Sequence, residues 1–167
     1  MTTVTPGTTA STAATSQSEL SRILQEGYGP GAWHGPDLAA AISDVAPKIA
    51  LRRPAPGAHN IAEVALHHAW FVRSVTAQLT GRTPEAFPVE GQDWFAVDEA
   101  AGPSWEEVQA TVAGYHEDLA QAVADIGSRR IVSPLDESER FGLVLGITCH
   151  AVYHAGQIQL LKRLLAS

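Results

Sequence analysis

The chain contains 167 residues, of which 45% are apolar and 17% are charged, and its formal net charge is −7. This composition is typical of a globular protein with enough apolar side chains for a sizeable core, which excludes wholesale disorder. The acidic excess disfavours binding to nucleic acid or to an anionic membrane surface. The only cysteine, Cys149, cannot form an intramolecular disulfide, and the longest apolar run, residues 141–149, is far short of the roughly 20 residues of a membrane span. We therefore expect a soluble, cytoplasmic protein.

The first 18 residues differ in composition from the remainder of the chain. They contain no charged side chain and consist mostly of Thr, Ser and Ala, without the basic and apolar regions of a secretory signal. They carry too little apolar surface to offset the entropy cost of ordering them. We predict a disordered tail over residues 1–17, with an arm that docks on a partner as the alternative, and a single domain over residues 18–167.

Four segments with a helical spacing of apolar residues are separated by connectors rich in Pro and Gly. They are predicted at residues 18–28, 60–79, 104–127 and 139–165. Between the first two, residues 36–53 contain weaker helical material that Pro47 interrupts, and we expect one or two turns there. The sequence shows no alternating pattern typical of strands. Four amphipathic helices with long first and middle connections predict an all-α four-helix bundle.

Two of the predicted helix starts carry the spacing of a capping box. Glu63 follows Asn60 by three residues, and Glu107 follows Ser104 in the same way, so that each side chain can bond the backbone N–H of the other residue. Gly81 follows the second predicted helix, in the position where a glycine commonly ends a helix. These signals set the expected bounds of the second helix and the expected start of the third.

Histidines in the second and fourth predicted helices have the spacing of metal ligands. His150 and His154 are four residues apart, which brings both imidazoles to one helix face with Cβ atoms about 6 Å apart. Neutral imidazoles can bind zinc, nickel, copper or iron when another helix supplies a third ligand. His67, in the middle of the second helix, is the expected third ligand. The alternative is that hydrogen bonds to backbone or carboxylate groups satisfy these side chains.

The apolar run at residues 141–149 predicts that the fourth helix is largely buried, so that its histidines need partners. Cys149 is then expected to be a buried and inert thiol, because an apolar environment raises the pKa of a thiol. His68 points about 100° away from His67 around the helix and is not expected to share its site. Ordinary hydrogen bonding remains the alternative for three further histidines, His59, His68 and His116, and His59 is expected to be exposed.

The histidine-bearing segments resemble the two signature helices of the DinB-like (damage-inducible) metal-binding four-helix-bundle proteins. These segments are HNIAEVALH at residues 59–67 and HAVYHAGQI at residues 150–158. The resemblance extends over nearly all of the chain after the tail. Further matching segments are residues 31–36, 79–81, 93–94 and 104–105.

The resemblance implies a bundle that holds a divalent metal through one histidine of the second helix and two of the fourth, at positions that match His67, His150 and His154. It also implies zinc or nickel as the ion, chemistry with a low-molecular-weight thiol such as bacillithiol or mycothiol, and a homodimer. Many relatives have an acidic residue directly after the first histidine of the fourth helix, where this chain has Ala151. No role is therefore carried over for that acid.

A site of three neutral histidines leaves at least one coordination position open, which is typical of a catalytic rather than a structural zinc. The chain has no H-E-x-x-H motif, which disfavours a peptidase. His34, in a loop flanked by Gly and Pro, is the candidate acid or base, and capping of a helix end is its alternative role. Other residues could line the pocket or support the ligands, with capping or packing as the alternative for each. They are Glu63, Trp33, Tyr153 and Gln157.

The leading functional hypothesis is a metal-dependent enzyme that acts as a thiol-dependent transferase or as a hydrolase. The alternative from another class is a stress-related module that binds a metal or a small ligand without turnover. A third interpretation is a structural bundle whose histidines are satisfied by hydrogen bonds. An acid or base within hydrogen-bond reach of the open coordination position would favour the enzyme over the binding module.

Overall fold

A computed structural model describes residues 18–98, 100 and 102–166, and the tail predicted over residues 1–17 lies outside them. The described residues form six helices and no strand, and none of these helices has the length and apolarity needed to cross a bilayer. The helices are α1 (Glu19–Gly27), α2 (Leu38–Ser43), α3 (Pro47–Ala50), α4 (Ile61–Thr80), α5 (Trp105–Gly127) and α6 (Glu137–Leu165). The predicted all-α fold is confirmed, and α1, α4, α5 and α6 correspond to the four predicted helices.

Side-chain caps determine where two of the long helices begin. At α5 the Ser104 hydroxyl accepts the N–H of Glu107 while the Glu107 carboxylate accepts the N–H of Ser104, which completes the capping box. At α4 only half of the predicted box forms. Asn60 accepts the N–H of Glu63 at 2.8 Å, but the Glu63 carboxylate bonds other partners. α4 ends at Gly81, whose φ of 68° is the left-handed conformation that glycine adopts most readily.

Two other helix starts differ in detail from the sequence prediction. α6 begins at Glu137, two residues earlier than predicted, because Asp136 caps it and the Glu139 carboxylate accepts the N–H of Asp136. Pro47 was expected to interrupt the connector but occupies the first position of α3, where its missing N–H removes no helical hydrogen bond. The connector therefore contains two short helices, in line with the one or two turns expected there.

Apolar side chains are buried in two clusters that meet at a layer of histidines. α4 packs against α5 and α6, and α1 packs against α6 and α5. One cluster includes residues of α4 up to Ala69 and of α5 up to Val112, and the other includes residues from Val72 and Leu119 onward. The histidines near the level at which the clusters meet are His68, His116 and His150.

α6 is not largely buried, contrary to the expectation from its apolar run. Phe141 is 46% exposed, Leu145 is 40% exposed and Tyr153 is 63% exposed. A nine-residue run that is almost wholly apolar covers every side of a helix, whereas the neighbouring helices cover only part of its circumference. The expectation of a buried thiol is also wrong, because Cys149 is exposed. α6 thus combines an inner face that carries histidines with an apolar outer face.

Candidate metal centre

Three of the histidines converge between α4 and α6. His67 projects from the middle of α4, and His150 and His154 project from successive turns of α6. One ring nitrogen of each residue lies within 4.8 Å of the other two, and the Nε2 atoms of His150 and His154 are 3.1 Å apart. The structure therefore brings together the three side chains that sequence spacing singled out.

Asp93, in the loop between α4 and α5, bonds the Nδ1 atom of His67. Nδ1 of His67 donates to Asp93, reaching its carboxylate at 2.9 Å and its backbone carbonyl at 3.0 Å. Asp93 has a φ of 65°, and the N–H of Trp94 closes the turn by donating to the carbonyl of Gln92 at 2.7 Å. This left-handed backbone costs a non-glycine residue free energy and is typical of functional sites. Because the Asp93 oxygens can only accept, Nδ1 carries a proton, and Nε2 is the nitrogen of His67 that remains for a metal.

Gln157 orients His154 in an equivalent way. Nδ1 of His154 donates to the Gln157 side-chain carbonyl at 2.6 Å, and the amide nitrogen of Gln157 donates to the Tyr153 hydroxyl at 3.1 Å. Gln157 lies one turn beyond His154 on α6, so the helix itself sets this contact. The Nε2 lone pair of His154 therefore points toward His67 and His150. Of the pocket residues named from sequence, Gln157 contacts a histidine of the triad directly and Tyr153 supports Gln157.

His150 is held by a second histidine of α4. Nδ1 of His150 lies 2.8 Å from Nδ1 of His68, and Nε2 of His68 lies 2.8 Å from Nε2 of His116 on α5. The ring of His116 stacks on Tyr28 with 3.8 Å between centroids. As predicted, His68 is not one of the three converging histidines, but its ring contacts His150 from behind, which the sequence analysis did not foresee. Because successive residues of a helix are turned by about 100°, the His68 side chain lies on the far side of the His150 ring from His67. The two adjacent histidines, His67 and His68, in a buried helix were the sequence signal that could have indicated this contact.

Burial keeps these histidines uncharged at neutral pH. Burial lowers the pKa of His116 to about 3. Burial and, to a smaller extent, neighbouring imidazoles lower the pKa of His150 and that of His154 to about 4. The pKa of His68 also lies well below its usual value, first because of burial and then because of repulsion from the surrounding imidazoles. The neutral imidazole is the form that binds a metal.

Aromatic side chains surround part of the triad. Trp94 stacks on His67 with 3.9 Å between ring centroids and on His59 with 3.8 Å between ring centroids. Phe71, which is 38% exposed, contacts the rings of His67 and His150 with 5.1 Å between centroids in each case. These side chains provide an apolar flank for the histidines.

Glu63 belongs to an ion cluster beside the site. Its carboxylate pairs with Arg53, accepts a hydrogen bond from Nδ1 of His59 at 2.9 Å and accepts the N–H of Val97 at 3.2 Å. The Glu63 side chain is 1% exposed, so these three partners offset the cost of burying its charge. Its link to the triad runs through His59, which stacks on Trp94. Glu63 thus anchors the loop that carries Trp94 rather than contacting a histidine of the triad.

His34 and Trp33, the two candidate site residues in the loop after α1, are hydrogen-bonded to Glu26 near the end of that helix. Nε2 of His34 donates to the carbonyl of Glu26 at 2.6 Å, and the N–H of Trp33 donates to the Glu26 carboxylate at 2.9 Å. The Trp33 side chain is 92% exposed. These contacts agree with the alternative of helix capping for His34, and its role as an acid or base stays a prediction.

The donor set fits a divalent transition metal. Three neutral imidazoles are typical ligands of zinc or nickel, and three protein ligands leave a coordination position open. Two nitrogen ligands of a tetrahedral zinc are about 3.4 Å apart when each lies about 2.1 Å from the ion. The separation of 3.1 Å between Nε2 of His150 and Nε2 of His154 is close to that spacing.

Comparison with known families agrees with this arrangement. The family model described as the DinB superfamily matches residues 32–158, a range that includes all three histidines of the triad and Asp93. The searches of curated proteins and of solved structures gave no match. The family match covers most of the chain, and the resemblance predicted from sequence is confirmed: the chain belongs to the DinB superfamily, a family of metal-binding helical proteins.

Proposed function

We propose that the chain binds one divalent metal ion, zinc or nickel, through the Nε2 atoms of His67, His150 and His154. A single observation carries this proposal: the Nδ1 atom of each ligand has its own hydrogen-bond partner. The partners are Asp93, His68 and Gln157. Partners of this kind orient imidazole ligands and make them more basic. Histidines satisfied for structural reasons alone would not need three nitrogens directed at one point.

The reaction class that we propose is a transfer that uses a low-molecular-weight thiol, with hydrolysis as the second possibility. A divalent ion at this site supplies a Lewis acid that lowers the pKa of a thiol or a water molecule. Imidazole binds a metal in its neutral form, so three imidazole ligands would leave the positive charge of the ion available to stabilise an anion. Trp94 and Phe71 offer apolar surface for the carbon atoms of a thiol. Between the two histidines of α6, Ala151, Val152 and Tyr153 supply no carboxylate for peptide hydrolysis.

A general acid or base is the remaining requirement of the enzyme hypothesis. We keep His34 in this role because its loop follows α1, which packs against α6. Replacement of His34 with alanine should lower kcat and leave the metal content unchanged. An unchanged kcat with the thiol substrate would contradict the assignment.

The competing proposal is a module that binds a metal or a small ligand without turnover. One observation favours it: the Asp93 carboxylate beside the triad is already bonded to His67. Cobalt substitution distinguishes thiol binding from a site that excludes thiols, because a thiolate ligand adds a charge-transfer band to the cobalt spectrum. Turnover of an electrophilic substrate together with that band would favour the transferase over the module.

We further propose that the chain is a cytoplasmic homodimer that pairs through the outer face of α6. The exposed side chains Phe141 and Leu145 support this choice of face, because exposed apolar patches are common at subunit interfaces. Light scattering should give the mass of two chains for the wild type and of one chain for Leu145→Lys. A wild-type mass of one chain would contradict the dimer.

The experiment that tests the metal proposal is a measurement of metal content by inductively coupled plasma mass spectrometry. The protein is untagged and purified without chelator, because a histidine tag would bind metal itself. We expect about one ion per chain in the wild type, and we expect loss of the ion in His67→Ala, His150→Ala and His154→Ala. His34→Ala is the matched control and should retain the ion. A wild type that contains no metal and does not take up added zinc or nickel would contradict the proposal.

A further inference from the structure

Four of the histidines form a continuous series of hydrogen bonds. Nε2 of His154 faces Nε2 of His150 at 3.1 Å, and Nδ1 of His150 faces Nδ1 of His68 at 2.8 Å. Nε2 of His68 then faces Nε2 of His116 at 2.8 Å. A neutral imidazole has one donor and one acceptor nitrogen, so the direction of one bond in the series sets the direction of the next. We call His150, His68 and His116 the imidazole chain.

One end of the series has a fixed direction when no metal is bound. Nδ1 of His154 donates to the carbonyl oxygen of Gln157, so Nε2 of His154 has no proton and can only accept. Nε2 of His150 must then be the donor across the 3.1 Å contact, which leaves Nδ1 of His150 as an acceptor. Consequently Nδ1 of His68 donates to His150, and Nε2 of His116 donates to His68. In this direction Nδ1 of His116 carries a lone pair.

A metal at the triad requires the opposite direction. A metal ligand must offer a lone pair, so Nε2 of His150 has to lose its proton and Nδ1 has to carry one instead. Nδ1 of His150 then donates to Nδ1 of His68, and Nε2 of His68 donates to Nε2 of His116. The last nitrogen of the series, Nδ1 of His116, becomes a donor. A neutral imidazole carries one proton in either direction of the series, so the two directions differ in tautomer and not in charge.

We propose that metal binding at the triad reverses every hydrogen bond of the imidazole chain and thereby converts Nδ1 of His116 from an acceptor into a donor. His116 lines a groove between α1 and α5, together with Tyr28, Gln25 and Glu117. Metal binding between α4 and α6 would therefore change, by way of His68 on α4, which hydrogen-bonding group His116 offers to the groove between α1 and α5. This inference rests on the metal site of the proposed function, and it assigns positioning roles to His68 and His116.

The protons balance without any change of net charge. The proton on Nε2 of His150 leaves to solvent at the metal site, and Nδ1 of His150 receives the proton from Nδ1 of His68. Nε2 of His68 receives the proton from Nε2 of His116. Nδ1 of His116 receives a proton from water in the groove, so one proton is released at the metal site and one is taken up at the groove. Each imidazole carries one proton before and after the change.

The direct test is the tautomeric state of each histidine in the full-length protein labelled with ¹⁵N-histidine. Long-range ¹H–¹⁵N correlation spectra distinguish a proton on Nδ1 from one on Nε2, and they are recorded without metal and with one equivalent of zinc. We expect His116 to change from the Nε2–H to the Nδ1–H form and His68 to change from Nδ1–H to Nε2–H. Single His→Gln variants assign the signals, and His34 should keep one tautomer throughout.

The possible failures of this experiment are distinguishable. Zinc-dependent changes at His67, His150 and His154 with constant tautomers at His68 and His116 would overturn the reversal and leave the metal site intact. Absence of any zinc-dependent change at the three ligands would overturn the metal site and the reversal together.

A second measurement tests whether the imidazole chain supports metal binding. His116→Leu removes the acceptor that His68 needs in the metal-bound direction, so we expect roughly 10- to 100-fold weaker zinc affinity in a chelator competition assay. His116→Gln keeps a side chain that can accept, and it should recover most of the affinity. Circular dichroism checks that both variants are folded. Equal zinc affinity in the wild type and both variants would overturn the proposed support.

Discussion

His67 and His68 are consecutive residues of α4, yet their surroundings differ in a way that defines the site. His67 stands at the edge of the bundle beside the loop of Trp94, and its Nδ1 bonds oxygens of Asp93 that can only accept. His68 is 0% exposed between α5 and α6, and both of its partners are imidazoles that can donate or accept. The two residues are turned by about 100° from each other around the helix. As a result, the hydrogen bond of His67 to Asp93 has one possible direction, whereas the hydrogen bonds of His68 can run in either direction.

The largest expected effect concerns the group of buried histidines as a whole. The folded-state pKa values of His116, His150 and His154 are about 3 to 4, below the usual 6.5. At pH values between about 4 and 6.5, these histidines take up protons in the unfolded chain but not in the folded chain. Their contribution to the free energy of unfolding is therefore fully present above pH 6.5 and is lost as the pH falls toward 4. The deeply buried His116 contributes up to about 1.4 kcal/mol per pH unit, and His150 and His154 contribute less because solvent screens them. Urea denaturation of the metal-free protein at several pH values measures this slope.

Two variants locate the source of that slope. His116→Gln removes one buried histidine and should make the slope smaller, and His34→Gln, which replaces an exposed histidine outside this group, is the control. A free energy of unfolding that stays constant from pH 7 to pH 5 would contradict the burial argument.

The second prediction compares the two consecutive histidines directly. His68→Ala leaves a cavity in the bundle and removes the partner of both His150 and His116, so we expect a loss of about 2–4 kcal/mol in the free energy of unfolding. His67→Ala lies at the edge and should cost about 1–2 kcal/mol without metal. Urea denaturation in the presence of a chelator gives both values. A larger cost for His67→Ala would remove the distinction drawn between edge and interior.

The smallest expected effect concerns the fixed partner of His67. Asp93→Ala removes the carboxylate and forces alanine into left-handed backbone, and we expect zinc affinity to fall about tenfold or more. Asp93→Asn keeps a side-chain acceptor and tolerates this backbone, so it should stay within about threefold of the wild type. Asp93→Gly keeps the backbone without the carboxylate and separates the two causes. Chelator competition measures all three variants, and equal affinities would assign the support of His67 to the backbone carbonyl alone.

Local signals predicted the helices well because capping is a contact between near neighbours in sequence. The bounds of α4 and the start of α5 were predicted from Asn60, Gly81 and Ser104, and α6 differed by two residues because Asp136 was not recognised as its cap. The apolar run of α6 gave the wrong burial because composition does not tell which side of a helix its neighbours cover. Cys149 was misjudged for the same reason.

The sequence by itself determined the all-α fold, the family and the triad of His67, His150 and His154, because helix periodicity and spacing within a helix are properties of short segments. Only the tertiary structure decided what holds those three side chains. Asp93 comes from a loop 26 residues after His67, and His116 reaches His68 from a helix 48 residues further along the chain. Such contacts depend on how the helices pack and turn against each other, and no local pattern records that geometry.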